Sequence, residues 1–165
     1  MERGIDVDCF ICETPLTENQ SLYSFSMNRE SIDRNVATVD YSEGLLLACQ
    51  KCNETHHLQD TIENSLSQYI FKNHTCRADS DKIKAISSKF NCSICHCRIP
   101  DQTPYIMPTH SIESWKHDVV SPIEVTYGKT ICPACERAMN FTNATRRIID
   151  DLLPKLKHRN LRIVE

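Results

Sequence analysis

The chain has 165 residues, 40% of them apolar and 25% charged, with ten cysteines and a formal net charge of −3. That length fits one compact domain or two small ones, and the modest apolar share argues against one large core that needs no staple. Residues 1–80 hold six Lys/Arg against 13 Asp/Glu, a net of −7, while residues 81–165 hold 13 against nine, a net of +4, so a uniformly basic phosphate-binding chain is excluded.

In chain order, the start MERGIDVDCF has no apolar signal-peptide core, and no run of eighteen apolar residues follows anywhere. No membrane span is expected, and the reading is an intracellular, reducing setting, nuclear or cytoplasmic. The first motif is CFIC at 9–12. LYSFSM (22–27) alternates as a half-buried strand does, and VATV (36–39) and GLLLA (44–48) read as two further short strands, with Gly44 making the turn into the second. CQKC (49–52) follows, and then Leu58, Ile62, Leu66 and Ile70 recur every four residues with Tyr69 beside them. That spacing predicts one continuous helix of about five turns. His56 and His57 read as surface residues near its start. The polar stretch 77–91 is a linker with room for a helical turn or two.

The second half repeats the order. CSIC (92–95) is followed by a segment holding His110, then by SIESWKHD, which reads as a polar loop around Trp115. Gly128 stands near the place of Gly44, CPAC (132–135) follows, and Phe141, Ala144, Ile148, Leu152 and Leu156 outline a helix. Pro154 is expected to kink or end it.

Thirty-six residues separate Cys12 from Cys49, and 36 separate Cys95 from Cys132, so all eight cysteines superimpose with one offset of 83. The spacing and order of elements indicate a duplicated unit. Neighbouring cysteines in CxxC steps make poor disulfides, because the ring they close is tiny, and good metal ligands, because both thiolates face one ion. The expected assignment is Cys9, Cys12, Cys49 and Cys52 on one Zn²⁺, and Cys92, Cys95, Cys132 and Cys135 on another; cross-bracing between the pairs is the alternative. Four thiolates fill a tetrahedral shell and leave no place for water, so both ions would be structural. Cys76 and Cys97 remain, as idle thiols or, with His74 and His96, as a third site.

The order of knuckle, hairpin and helix resembles the treble-clef group of zinc fingers, over both units. ICPACERAMNFTNATRRIIDDLL (131–153) looks like the second half of the zinc-finger-associated domain, a dimerisation module of insect-type transcription factors. GLLLACQKCNETHHLQ (44–59) looks like part of the endonuclease-VII type of HNH nuclease, with Asn53 directly after the last zinc cysteine. That family needs a histidine on the preceding strand; the first unit has none, whereas the second has His110 but Glu136 in place of the asparagine. The resemblance therefore implies a catalytically incomplete relative.

The fold expected is small α+β: a first zinc module at 1–76, a linker at 77–91 and a second module with a basic tail at 92–165. The function expected is that of a non-enzymatic adaptor that binds a protein partner or itself, in nuclear gene regulation by family analogy. Candidate partner-binding residues are Trp115, Tyr69, Ile70, Phe71, Phe141, Leu152 and Leu153. The alternative is nucleic-acid binding through Arg146, Arg147, Lys155, Lys157 and Arg159; a nuclease is the second alternative.

Overall fold

A computed structural model describes residues 7–74, 90–117 and 119–163. Cys76 and nearly all of the expected linker lie outside the described residues. Among these described residues the elements follow the order β1 (Ser21–Asp33), β2 (Val36–Cys49), α1 (Gln50–His56), α2 (Leu58–Asn73), β3 (Tyr105–Lys116), β4 (Val119–Tyr127), α3 (Pro133–Met139) and α4 (Phe141–Ile163). No helix among them is long and apolar enough to cross a membrane.

The strands form one antiparallel sheet in the order β2-β1-β3-β4, so a hairpin from each unit joins through its first strand. Along β1, Tyr23, Phe25 and Met27 are buried on the face that receives the helices. His110 of β3 belongs to that face: its ring lies 4.9 Å from that of Phe25, and it bonds Glu63 of α2. The opposite face carries Ser26, Asn28, Thr109 and Ser111. A protein with ordinary apolar content thus gains a shared core by fusing two half-sheets, and the cluster includes Phe25, Leu58, Ile62, Leu66, Tyr105, Ile131 and Phe141.

The 83-residue offset holds residue by residue. Ser26 pairs with Gly44 and Thr109 with Tyr127; each hairpin has a register shift at the same place, after Arg29 in one and Ile112 in the other. Left-handed backbone recurs at matched positions: Glu13 and His96, Asn19 and Gln102, Arg34 and His117, His57 and Asn140. Contacts across the units are reciprocal, as in a two-fold dimer. Asn19 N–H donates to Trp115 C=O at 2.9 Å, and its counterpart Gln102 donates to Ile32 C=O at 2.7 Å.

Several local expectations are corrected. VATV and GLLLA belong to one 14-residue strand, β2. Gly44 makes no turn; it sits beside the register shift between Phe25 and Ser26, where the extra residue on β2 is Leu45. The actual turn is the two-residue loop Arg34–Asn35, with φ of 49° and 68°, the conformation that matches the twist of a tight hairpin. The helix after Cys52 is broken at His57 (φ 46°), and that after Cys135 at Asn140 (φ 48°). Periodicity cannot see such a break, because the apolar positions of α2 keep their spacing beyond it. Helix α4 runs on through Pro154, which is exposed, so the proline costs a backbone bond but displaces nothing in the core. SIESWKHD is mostly strand rather than loop.

Candidate metal centres and two composite clefts

Cys9 and Cys12 sit on a tight turn. Cys9 N–H donates to Thr14 C=O, Glu13 N–H donates to Cys9 C=O, both at 2.9 Å, and Glu13 takes left-handed φ to bring the chain back. Cys49 ends β2 and caps α1, its sulfur accepting from Cys52 N–H at 3.5 Å. The second unit repeats this with Cys132 and Cys135, also at 3.5 Å. In both quartets the ligand atoms lie within 4.8 Å of one another, and the grouping is Cys9, Cys12, Cys49, Cys52 and Cys92, Cys95, Cys132, Cys135. Each unit thus completes its own set, without cross-bracing. The sulfurs of Cys12 and Cys49 are 3.8 Å apart and those of Cys95 and Cys132 are 3.7 Å apart. A tetrahedron with metal–sulfur bonds of ~2.3 Å has edges of ~3.8 Å.

The electrostatics of each quartet also call for a cation. Cys132, Cys95 and Ile94 hydrogen-bond Cys92, and hydrogen bonding from Cys132 outweighs burial to bring the Cys92 thiol down to about 4. Cys132 is pushed up by that same bond and by burial. In the first quartet burial opposes ionisation of Cys12, but hydrogen bonds led by Thr14 bring it to about 7, while burial raises Cys49 and Cys52. One thiolate therefore forms readily in each set and resists the others. A bound dication would let all four ionise together. Both quartets can hold a metal; the second is wholly buried, whereas Cys12 and Cys49 are half-buried.

Two clefts flank the sheet, each made by the helix of one unit and the hairpin of the other. The smaller, about 290 Å³, is lined by Tyr23, Asn53, Gln59, His110, Ser111, Ile112, Glu124 and Thr126. The counterparts of all eight under the offset, Ile106, Glu136, Thr142, Met27, Asn28, Arg29, Tyr41 and Glu43, line the larger cleft of about 630 Å³. The clefts are related by duplication and have diverged in chemistry.

In the smaller cleft, buried His110 is held from both sides. Tyr23 O–H lies 2.6 Å from Nδ1, and Glu63 Oε1 lies 2.8 Å from Nε2. Burial, and then the charge of Glu63, push the Tyr23 phenol up, so it stays protonated and donates to Nδ1. The proton of a neutral ring is then on Nε2, donated to Glu63. The His110 bond holds the Glu63 carboxyl below the usual carboxylate range against its own burial, with help from Lys129 at 3.2 Å. Both ring nitrogens are engaged, so His110 works here as a clasp between α2 and β3. In the larger cleft Met27 replaces the histidine, and Arg146 grips Glu43, with Nε 2.9 Å from Oε1.

Among the described residues, four ion pairs cross between the units: Glu63–His110, Glu63–Lys129, Glu43–Arg146 and Glu13–Lys157. In every one the acid belongs to the first unit and the base to the second. The uneven charge of the two halves is thus used for contact between them. Sequence reasoning named Arg146 and Lys157 as nucleic-acid candidates and did not single out Glu13, Glu43, Glu63 or Lys129; the opposite charge of the halves is the signal that points to contact between them.

The candidate surfaces are placed as follows. Trp115 and Phe141, expected to face a partner, are buried in the core, and Ile70 is buried as well. Tyr69 is half-buried, its O–H donating to Met139 C=O at 2.6 Å across the units, and Leu152 and Leu153 are half-buried. Phe71 is 82% exposed. Of the basic residues, Arg146 and Lys157 are committed to Glu43 and Glu13, while Arg147, Lys155 and Arg159 are exposed beside exposed Asp150 and Asp151. His56 is buried, contrary to expectation, and His57 is exposed at the helix break. Cys97 is half-buried, and its C=O accepts from Cys92 N–H at 2.8 Å. Comparison with protein-family models, characterised proteins and solved structures found no match to this chain.

Proposed function

We propose that this chain is a non-enzymatic adaptor, held rigid by two structural Zn²⁺ ions, that binds another protein or a second copy of itself. Four thiolates at tetrahedral spacing suit zinc, and a filled shell leaves no site for activated water. The observation that carries the binding role is the apolar surface of the two hairpins. Residues 36–42 of β2 are exposed throughout, among them Val36, Val39 and Tyr41. On β4, Val119, Val120, Ile123, Val125 and Tyr127 are exposed, and no strand pairs with the outer edge of β2 or β4 among the described residues. Soluble chains rarely leave such strands uncovered without use. The resemblance of 131–153 to a dimerisation module supports a place in nuclear gene regulation.

The test is metal counting together with light scattering and capture by zinc-loaded protein. Two zinc ions per chain are expected, with a partner or self-association lost when Val36 and Val119 are changed to lysine while the metal content stays at two. A monomer that captures nothing removes the adaptor reading. The nuclease reading has one observation in its favour, Asn53 and His110 lining one cleft. Both nitrogens of His110 are occupied, however, and cleavage of plasmid DNA with Mg²⁺ or Mn²⁺ would be needed to revive it.

A further inference from the structure

The sheet face opposite the helices forms a groove of about 800 Å³ that spans both units. Its floor is polar: Asn28 Nδ2 donates to Thr109 Oγ1 at 3.1 Å, and Ser42 Oγ donates to Asn28 Oδ1 at 2.7 Å. Its rims are apolar and exposed, with Val39 on β2 and Val120, Val125 and Tyr127 on β4. Two carboxylates, Glu30 and Glu113, line it at positions related by the 83-residue offset. Glu30 is only 4% exposed, and it accepts from Tyr105 O–H at 2.8 Å. Glu113 accepts from Ser111 O–H at 2.9 Å. Neither is paired with a cation among the described residues.

A carboxylate withdrawn from water with only a neutral hydroxyl for company is unfavourable, and an incoming cation relieves it. Asp40, which also acts electrostatically on Tyr105, adds to the negative field at the Glu30 end. A second copy docked face to face would set carboxylate against carboxylate, which rules against the self-complementary use of this face. The two rims differ as well. Val125 and Tyr127 stand where the first unit has Ser42 and Gly44, so the near-symmetry is broken and an occupant lies in one direction.

We propose that this groove binds an extended, cationic peptide segment with two basic residues about eight positions apart and small or apolar residues between them. The spacing comes from the register. Glu30 lies opposite Tyr105 and Glu113 lies opposite Leu22, so along β1 the carboxylates are eight residues apart. At ~3.3 Å per residue that is ~26 Å, the span of an extended segment of the same length. The proposal rests on the adaptor reading and names the partner chemistry at one face of it.

The test is fluorescence anisotropy with an eleven-residue peptide alternating threonine and valine, with lysine at positions 2 and 10. The comparison peptides place lysine at 2 and 6, or glutamate at 2 and 10. The first is expected to bind saturably and more weakly as salt rises, and the other two about tenfold or more weaker. Glu113→Gln and Tyr127→Ala should each weaken the first peptide severalfold, in protein that retains its metal. Tyr127 is exposed, so its variant keeps the test open if Glu113→Gln misfolds. Equal binding of all three peptides, or of none, overturns the proposal. If none binds while partner capture through Val36 and Val119 persists, the groove falls and the adaptor stands. If capture fails too, both fall.

Discussion

Ser26 of β1 lies directly opposite Thr109 of β3, and each is the other's counterpart under the 83-residue repeat. A pair of equivalent residues facing each other in an antiparallel ladder marks a two-fold axis. From that point outward every pairing is mirrored, Tyr23 with Ile112 and Arg29 with Ile106. The molecule is a dimer written on one chain, and its central interface is a β-ladder with polar Ser26, Asn28 and Thr109 on one side and Tyr23, Phe25 and His110 on the other.

Two halves expressed apart, 1–76 and 90–165, are therefore expected to find each other. Each alone would leave the inner edge of β1 or β3 unpaired. Co-purification at a one-to-one ratio is the expected result. Two separate, stably monomeric halves would show that the ladder contributes little.

Metal removal is expected to unfold the chain, because each quartet then packs four thiols against one another with no cation to balance them. Loss should occur in two steps, the half-exposed first quartet before the buried second. Circular dichroism with a zinc-sensitive dye would follow both. A native spectrum after full chelation would mean that the quartets are not structural.

Gly128→Ala is expected to destabilise by about 1–3 kcal/mol. A β-carbon there would sit 2.7 Å from Pro108 O, closer than atoms tolerate. Gly44→Ala meets nothing within 4 Å and should be neutral or stabilising by up to ~1 kcal/mol, since glycine weakens strands. Thermal melts of the two variants should move apart.

Glu63→Gln is expected to cost about 1–3 kcal/mol at neutral pH, by weakening a charge-assisted bond to buried His110. The Glu63 carboxyl is held below its ordinary value of 4.5 in the folded chain. Its contribution is thus complete above that ordinary value and is lost as pH falls through the lower folded value. The gap between wild type and variant should close on acidification. A gap that is constant down to pH 3 would point to packing instead of charge.

Arg146 and Glu43 should couple by about 0.5–1 kcal/mol in a double-mutant cycle, since the arginine side chain is 42% exposed and screened by water. Raising salt should reduce that coupling. A value near zero would make the pair ornamental to the joining of the units.

Several features were legible in the residues because they are local. The CxxC steps and their spacing defined both metal sets, since ligands a few residues apart converge by chain geometry alone. The amphipathic period located Leu58, Ile62, Leu66 and Ile70 on the buried side of a helix. What misled was equally local: Trp115 in a charged stretch looked like an exposed anchor, and SIESWKHD looked like a loop. In the sheet Ser114 pairs with Ser21 of the other unit and with Ser121 of β4, and Trp115 beside it sinks into the core.

The chain by itself determined the duplication, the two sulfur quartets and the opposite charge of its halves, because each is a matter of which residues stand at which intervals. Only the tertiary structure decided that the halves share one sheet, that His110 of one is clasped by Tyr23 and Glu63 of the other, and that their acids meet their bases. Those contacts join residues up to 144 positions apart, as in Glu13 and Lys157, and no local period encodes them. They arise when β1 and β3 each need a partner for the backbone groups along an inner edge, and the matching strand of the other unit offers one.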